Sequence, residues 1–475
     1  MFSTKWLSAS LSGVGMVLGL AGSALVYADD VTNWPLLVPG TLYLDGHVRA
    51  RMESLDDQYR ATGQGTDQVL ALRTDLQFSM PLSRFRGGSE VVFELMDSRQ
   101  FMTDDDTTLN TSTVNTLEAV QARLSLHSDL LPWQIGDHRL DFGRQTLDLG
   151  SRRLIARNRY RNTLNTFDGI HVASDLRYSK ARIEGLVLYP VVRYPVEQED
   201  IHNNQHEADK SSLQVQLLGL SAEGYVLTGR IRGAVQWLKV READTSRVAT
   251  RNRNISTYAG RLYLSPKPGY WDFDIEMMRQ VGSSRLSTEP TDRTDLEHGA
   301  WFHHLELGYQ FRNRWQWRVL VQYDYASGDA DPDDDSNNRF DTLYGARRFD
   351  FGPTGIYGSF ARSNISSPAV RMSFKPSRST QIMMASRWYW LASDRDAWVG
   401  SGYHDTTGQS GRSLGVQPEF RLRWDAKKSV QVEMGAAWLN LGSYAAKAQQ
   451  RSGSVRVEPV PDSTLYSYFQ AMWQF

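Results

Sequence analysis

Residues 42–53 read "LYLDGHVRARME" and change character at every step. Leu42, Leu44, Val48, Ala50 and Met52 fall on one side, and Asp45, His47, Arg49, Arg51 and Glu53 on the other. A period of two belongs to an extended strand whose faces meet different surroundings. The next segment, "VLALRTDLQFSM" at 69–80, repeats it, with Leu70, Leu72, Leu76, Phe78 and Met80 opposed to Arg73, Asp75 and Gln77. Further on, Trp271, Phe273, Ile275 and Met277 oppose Asp272, Asp274 and Glu276, and Trp315, Trp317, Val319, Val321 and Tyr323 oppose Gln316, Arg318, Gln322 and Asp324.

A soluble sandwich also alternates, so length and punctuation decide. The segments run to about ten residues or more, longer than a globular strand and close to what a tilted strand needs to cross a bilayer. Aromatic residues such as Trp315, Trp317, Trp388, Trp390 and Trp438 sit at segment ends, as in an interfacial belt. Short turns such as "SPKPG", "FRNR", "KPSRS" and "DAKK" take turns with long polar loops near 98–114, 144–165, 190–211, 283–300, 327–361, 392–416 and 443–462. That asymmetry is the one between the periplasmic and extracellular sides of an outer-membrane barrel. Eight turns and nine loops predict an all-β, closed antiparallel transmembrane barrel of 18 strands over 41–475. Sixteen remain open because 144–170 and 213–240 are ambiguous.

The remaining composition fits. Lys5, the small and apolar run Leu7–Leu25 and the cleavage site in "VYADD" predict a signal peptide, 1–28, removed after Ala28. Residues 29–40 form a periplasmic lead-in. The expected location is the bacterial outer membrane, integral, with outer-membrane lipids and lipopolysaccharide as surroundings. The last segment, "TLYSYFQAMWQF", ends on phenylalanine and looks like the terminal strand that the outer-membrane assembly machinery reads. There is no cysteine, so disulfides and thiolate metal sites are excluded. With 53 basic and 54 acidic residues and a net charge of −1, nothing draws the whole chain to nucleic acid.

If the apolar faces meet lipid, the charged faces line a lumen, and a barrel of this size leaves an aqueous channel. Nine basic residues are lysine and 44 arginine, the planar cation that meets carboxylates as a fork. By phase, Arg49, Arg51, Arg73, Arg123, Arg318, Arg371, Arg387 and Arg421 line the lumen. Paired with the carboxylates of neighbouring strands they would be a solvated wall; without partners they would form an anion-selecting constriction.

The densest cationic stretch is 142–170, "FGRQTLDLGSRRLIARNRYRNTLNTFDGI". Its elements "FGRQ" at 142–145, "RRLI" at 152–155 and "TFDG" at 166–169 resemble the signature of the alginate export family of outer-membrane porins. The stretch from Tyr323 to Gly358, an acidic loop with an aromatic return, is similar to members of that family too. The resemblance implies a monomeric 18-stranded barrel that lets a polyuronate leave the periplasm through an arginine-rich constriction, and periplasmic polysaccharide-secretion proteins as partners. It carries Arg144 over as a pore residue. Simple phase opposes this, since Phe142 and Arg144 share a face; a bulge at Gly143 would re-aim the arginine. Arg152 and Arg153, with the loop around them, are expected either to fold inward toward carboxylates or to meet lipopolysaccharide phosphates outside.

Asp329, Asp331 and Asp333 recur at alternate positions of "SGDADPDDDSNN", which suits calcium coordination, the one cofactor in view. The loop lacks the glycine and terminal glutamate of an EF-hand, and a solvated acidic loop is the alternative. An enzyme is the rival of another class. His171, His303 and His304 have no nucleophile motif such as G-x-S-x-G near them, so the reading is a channel for an anionic polysaccharide or oligosaccharide. Passive uptake of small acidic solutes is the runner-up.

Overall fold

The computed structural model describes residues 36–38, 42–82, 88–104, 107–128, 136–226, 229–245, 249–452 and 459–475. The leader at 1–28 lies outside the described residues, as does most of the lead-in, of which Leu36–Val38 forms a short strand beside Leu42 and Tyr43.

Eighteen long strands make the wall. The first seven are β1 (Leu42–Asp56), β2 (Asp67–Pro81), β3 (Glu90–Phe101), β4 (Asn115–Ser128), β5 (Gly136–Gln145), β6 (Phe167–Leu176) and β7 (Arg182–Val192). Then come β8 (Val215–Val226), β9 (Ile231–Glu242), β10 (Asn254–Leu264), β11 (Tyr270–Ser284), β12 (Leu296–Gln310) and β13 (Arg318–Ala326). The last five are β14 (Ile365–Phe374), β15 (Thr380–Trp390), β16 (Ser413–Lys427), β17 (Val430–Leu441) and β18 (Ser463–Gln474). Each pairs antiparallel with the next, and β18 returns to β1 in the register Val48↔Trp473, closing the ring. Closure satisfies every edge, which hydrocarbon would not. At the seam Gly46 and Phe475 exchange main-chain hydrogen bonds of 2.8 and 3.0 Å, and the Phe475 ring occupies the place where a side chain on Gly46 would stand.

The apolar faces point outward. Val235, Trp271, Phe142, Trp438 and Leu220 are exposed on the wall, while Arg49, Asp75, Glu94, Asp272 and Asp324 at opposite phase are buried. The eight turns and nine loops hold, and both ambiguous regions resolve into strands. Trp315 and Trp317, expected in a strand, lie in the turn before β13 and stack on Phe374 at 5.8 and 4.1 Å, part of the periplasmic aromatic belt.

The lumen differs from the open bore that strand number alone implies. Two loops fold into it: 146–166, between β5 and β6, and 327–364, between β13 and β14, which carries the short helix α1 (Arg348–Phe351). They clasp each other: Tyr344 N–H donates to Leu154 O at 2.9 Å, Ala346 N–H to Arg152 O at 3.0 Å and Ala156 N–H to Tyr344 O at 3.1 Å. With the loop 391–412 they fill the extracellular half of the barrel around stacked rings. Phe360 lies 3.4 Å from Tyr389, Tyr59 5.3 Å from Trp398 and Tyr357 5.2 Å from Tyr466. The polar ends of these rings are satisfied, as buried Tyr and Trp require: Tyr59 donates to Tyr357 O, Trp398 to Ser359 O and Tyr389 to Phe351 O. A longer helix, α2 (Ser443–Ser452), adds Tyr444, Ala445 and Ala448 to the same core.

Candidate functional site

The periplasmic half of the lumen stays hollow. A cavity of about 680 Å³ lies under the two inward loops. Its floor and walls come from the periplasmic ends of β1, β2, β16, β17 and β18, and its roof from Arg152, Arg157, Arg159, Tyr160 and Phe349. A second space of about 300 Å³ adjoins it, sharing Gln77, Asp148, Arg157 and Arg159 and reaching Arg123, Arg139, His171 and Arg182.

Cations outnumber acids here. The larger cavity is lined by Arg49, Arg73, Arg152, Arg157, Arg159, Arg348, Arg421 and Arg423 against Asp45, Asp75, Glu94, Asp148 and Glu433. Two of the pairs are internal, Arg157 donating to Glu94 at 2.5 Å and Arg423 to Glu433 at 2.8 Å, while Arg348 is taken up by Glu419 outside the lining at 2.7 Å. Arg152 and Arg159 are exposed to the cavity and, among the described residues, pair with no carboxylate, while Arg421 makes no ion pair within 4 Å but acts on Glu433 beside it. Arg152 lies 5.2 Å over the Phe349 ring, a cation held flat against an apolar plate. Such a surface offers a sugar acid both its charge and its ring partner.

The strand arginines are on the lumen face, as phase predicts, but most have structural work. Arg49 donates to Arg159 O at 2.9 Å and Arg161 O at 2.8 Å, Arg51 to Tyr160 O at 2.7 Å, and Arg73 to Arg159 O and Arg161 O at 3.1 and 3.0 Å. Three guanidinium forks thus pin the carbonyls of the inward loop, and Arg51 and Arg73 also meet Glu53 and Asp75. Arg371 pins Phe349 O at 2.8 Å in the same manner. Arg318 is taken up by Asp272 and Glu306, Arg387 by Asp324, and Arg123 by Asp141. Of the arginines placed on the lumen face, Arg421 reaches the larger cavity with no ion pair within 4 Å, while Arg49 and Arg73 reach it, and Arg123 the adjoining space, with their forks engaged elsewhere.

Arg153 is buried at the clasp between the loops. It meets Asp350 at 3.0 Å and Glu276 at 2.7 Å, while Arg362 holds Asp350 at 2.6 Å and donates to Arg153 O at 2.8 Å. Burial would raise the Asp350 carboxyl, but Arg153 and Arg362 outweigh it and hold it well below the usual carboxylate range. His304 and Asp324 stand beside it, 2.7 Å apart, and with Asp350 make a buried group with the spacing of metal ligands. Arg153, Arg362 and Arg387 already neutralise these acids, so the group reads as a latch. Deeper still, Arg161 is faced by Arg193 and Arg347; burial and these two cations push it down to about 9.

Arg144 overturns the family carry-over. Gly143 does take the left-handed φ of +117°, but the register runs unbroken through it, Phe142↔Ile170, Gly143↔Gly169, Arg144↔Asp168 and Gln145↔Phe167. Arg144 therefore shares the outward phase of Phe142 and lines neither cavity. It binds Asp168 at 2.9 Å, Glu118 at 3.0 Å and Ser211 at 3.1 Å. The motifs "FGRQ" and "TFDG" are thus partners across β5 and β6. Gly143 and Gly169 face each other because a Cβ on either would overlap a carbonyl of the next strand. Above them β5 has already turned inward, and the chain near 203–211 closes the gap between β4 and β7 through Gln205, Asp209 and Ser211.

Asp329, Asp331 and Asp333 do not converge on a calcium site. Asp331 and Asp333 point to Arg395 at 3.0 and 3.5 Å, and Asp329 turns toward Asn338 at 3.4 Å. The only group among the described residues spaced to share an ion is the latch.

The closed, even-stranded barrel, apolar outside, with aromatic residues at its periplasmic turns and a cation-rich lumen, has the architecture of an outer-membrane porin. Solved porins share this fold at low identity. A BenF-like porin from Pseudomonas fluorescens Pf-5 matches with a TM-score of 0.58 and 10% identity, covering 91% of this chain and 98% of that one. OccK9 (OpdG) from Pseudomonas aeruginosa gives 0.56 and 12% over 91% and 98%. OpdK from Pseudomonas aeruginosa, solved with vanillate, gives 0.55 and 10% over 91% and 98%. No curated protein matches. The model of the family described as "Alginate export" matches residues 41–457, and the chain belongs to that family of outer-membrane β-barrels. Membership of that family makes it an outer-membrane transport channel and not an enzyme.

Proposed function

We propose that the channel passes an anionic exopolysaccharide, alginate first of all, passively out of the periplasm, one pore to each chain. The observation that carries this is the cavity on the periplasmic half, where Arg152 and Arg159 face the space without carboxylate partners among the described residues and Arg421 faces it beside Glu433. A low-dielectric wall focuses their field on whatever enters. A polymer must then displace the loops of the extracellular half, which act as a gate. In planar bilayers the protein is expected to pass chloride over potassium, and uronate oligomers to block from the periplasmic side. Replacing Arg152, Arg159 and Arg421 together by glutamate should reverse the ion preference. Cation preference in the wild type, or equal block by a neutral oligosaccharide, would refute the reading.

The size of the cavity favours a second reading, uptake of small acids, because about 680 Å³ holds only a few sugar rings. Dependence of block on chain length separates the two. Monomeric uronates that permeate while longer chains fail to enter would select uptake.

A further inference from the structure

We infer that the outer face of β9 to β11, at its extracellular end, binds the phosphate groups of the outer-leaflet glycolipid. On β9 the lumen positions near the loop end are the buried Leu238 and Val240, so Lys239 and Arg241 point toward the membrane. On β11 the buried Met278 and Gln280 likewise turn Arg279 outward. The register sets Lys239 beside Ser256 and Val281, and Arg279 beside Tyr258, which itself faces Trp237. Arg279 therefore lies two strands across from Lys239 and two residues deeper, about 10 Å sideways and about 7 Å along the strand. The long side chains bring the three cations to one patch.

Charge makes the patch unusual. Two other outward-facing strand arginines carry their own acids: Arg99 meets Asp97 at 2.8 Å, and Arg144 meets Asp168 at 2.9 Å. Among the described residues Lys239, Arg241 and Arg279 have no carboxylate. Lys239 reaches Asn254 O at 3.3 Å, and Arg279 reaches Ala300 O at 3.5 Å while lying 4.6 Å over the Trp301 ring. A cation on the lipid-facing wall is costly unless an anion or water meets its head. The ring beneath fixes Arg279 in orientation, and Gly299, which has no side chain to intrude, leaves the guanidinium room against the strand. An interfacial aromatic with three unpaired cations above the hydrocarbon matches a headgroup that bears phosphate on sugar, and long loops place this end in the outer leaflet.

The test uses the full-length protein in detergent, titrated with bisphosphorylated lipid A, its dephosphorylated form and phosphatidylglycerol, bound lipid being counted by native mass spectrometry. Lipid A is expected to bind at least tenfold more tightly than either control. Replacing Lys239, Arg241 and Arg279 together by glutamine should remove that advantage, with channel conductance unchanged as proof of a folded barrel; Arg99→Gln should leave it intact. Equal binding of dephosphorylated lipid A or of phosphatidylglycerol to the wild type would overturn the assignment without recourse to any variant. So would full retention of binding in the folded triple variant.

Discussion

The two halves of the lumen are built from the same strands and the same phase, yet one is wet and the other dry. Along β1 the inward residues run Asp45, His47, Arg49, Arg51 and Glu53, then Leu55; along β2, from the periplasmic end, Gln77, Asp75 and Arg73, then Ala71 and Val69. On β17 Gln431 and Glu433 give way to Ala437 and Leu439, and on β18 Gln470 gives way to Tyr468 and Tyr466. Where the inward residue turns apolar, a loop comes in to cover it. The comparison teaches that the barrel wall itself encodes how far the solute path is open.

The strongest way to break this contrast is to remove the filling. Replacing 340–362 by a short glycine-serine linker should raise single-channel conductance severalfold while keeping anion preference, since Arg152, Arg159 and Arg421 stay; unchanged conductance would show that the loop does not limit flow. Next in size is the latch. Asp350→Asn leaves Arg362 buried without its acid and Arg153 with Glu276 and Asp274 alone, a loss of about 3–5 kcal/mol for such a broken pair. The loops should then come loose, read as protease cleavage within 340–362 and as flicker in single-channel records.

A third experiment sharpens the line between wall and cavity. Arg421→Gln should lower the chloride preference without lowering thermal stability. Arg144→Gln should do the reverse, leaving Asp168 and Glu118 short of a partner at a cost of about 1–3 kcal/mol, seen as a lower unfolding temperature in detergent. Equal effects of the two on selectivity would return Arg144 to the pore.

The smallest effect concerns the strap that closes the wall above β5. Burial, with Glu118 adding to it, pushes the Asp209 carboxyl up to about 6, against the N–H donors of Asn115 and Tyr194 and the nearby Arg193. A raised carboxyl favours the protonated, folded form, so its contribution is complete below about pH 4 and fades as pH rises through about 6. Asp209→Asn should therefore slow protease cleavage of 198–212 at pH 7.5 and change nothing at pH 4. Equal effects at both pH values would contradict this.

Much of the architecture was legible because two-faced strands leave a period that loops cannot imitate, and the sequence yields wall phase, loop sidedness and a strand number of 18 with 16 left open. The fate of each arginine was not, since partners come from far along the chain: Arg49 meets carbonyls at 159 and 161, and Arg153 meets Asp350. At Arg144 phase was the sound guide and the resemblance was not, because a left-handed glycine can sit in register without shifting it. One unused signal was present. Leu55, Val69, Leu439 and Tyr466 are apolar at positions the phase reserves for water, and that break in pattern marks where loops enter.

The seam between β1 and β18 joins residues as far apart as His47 and Gln474, whereas every other strand meets its neighbour within a few dozen positions. During biogenesis β1 must therefore wait with one flank bare until β18 has been made. Such a bare flank invites pairing with foreign chains. The ring therefore closes only after the whole wall has been laid down, and its closing pair carries the longest sequence separation in the wall.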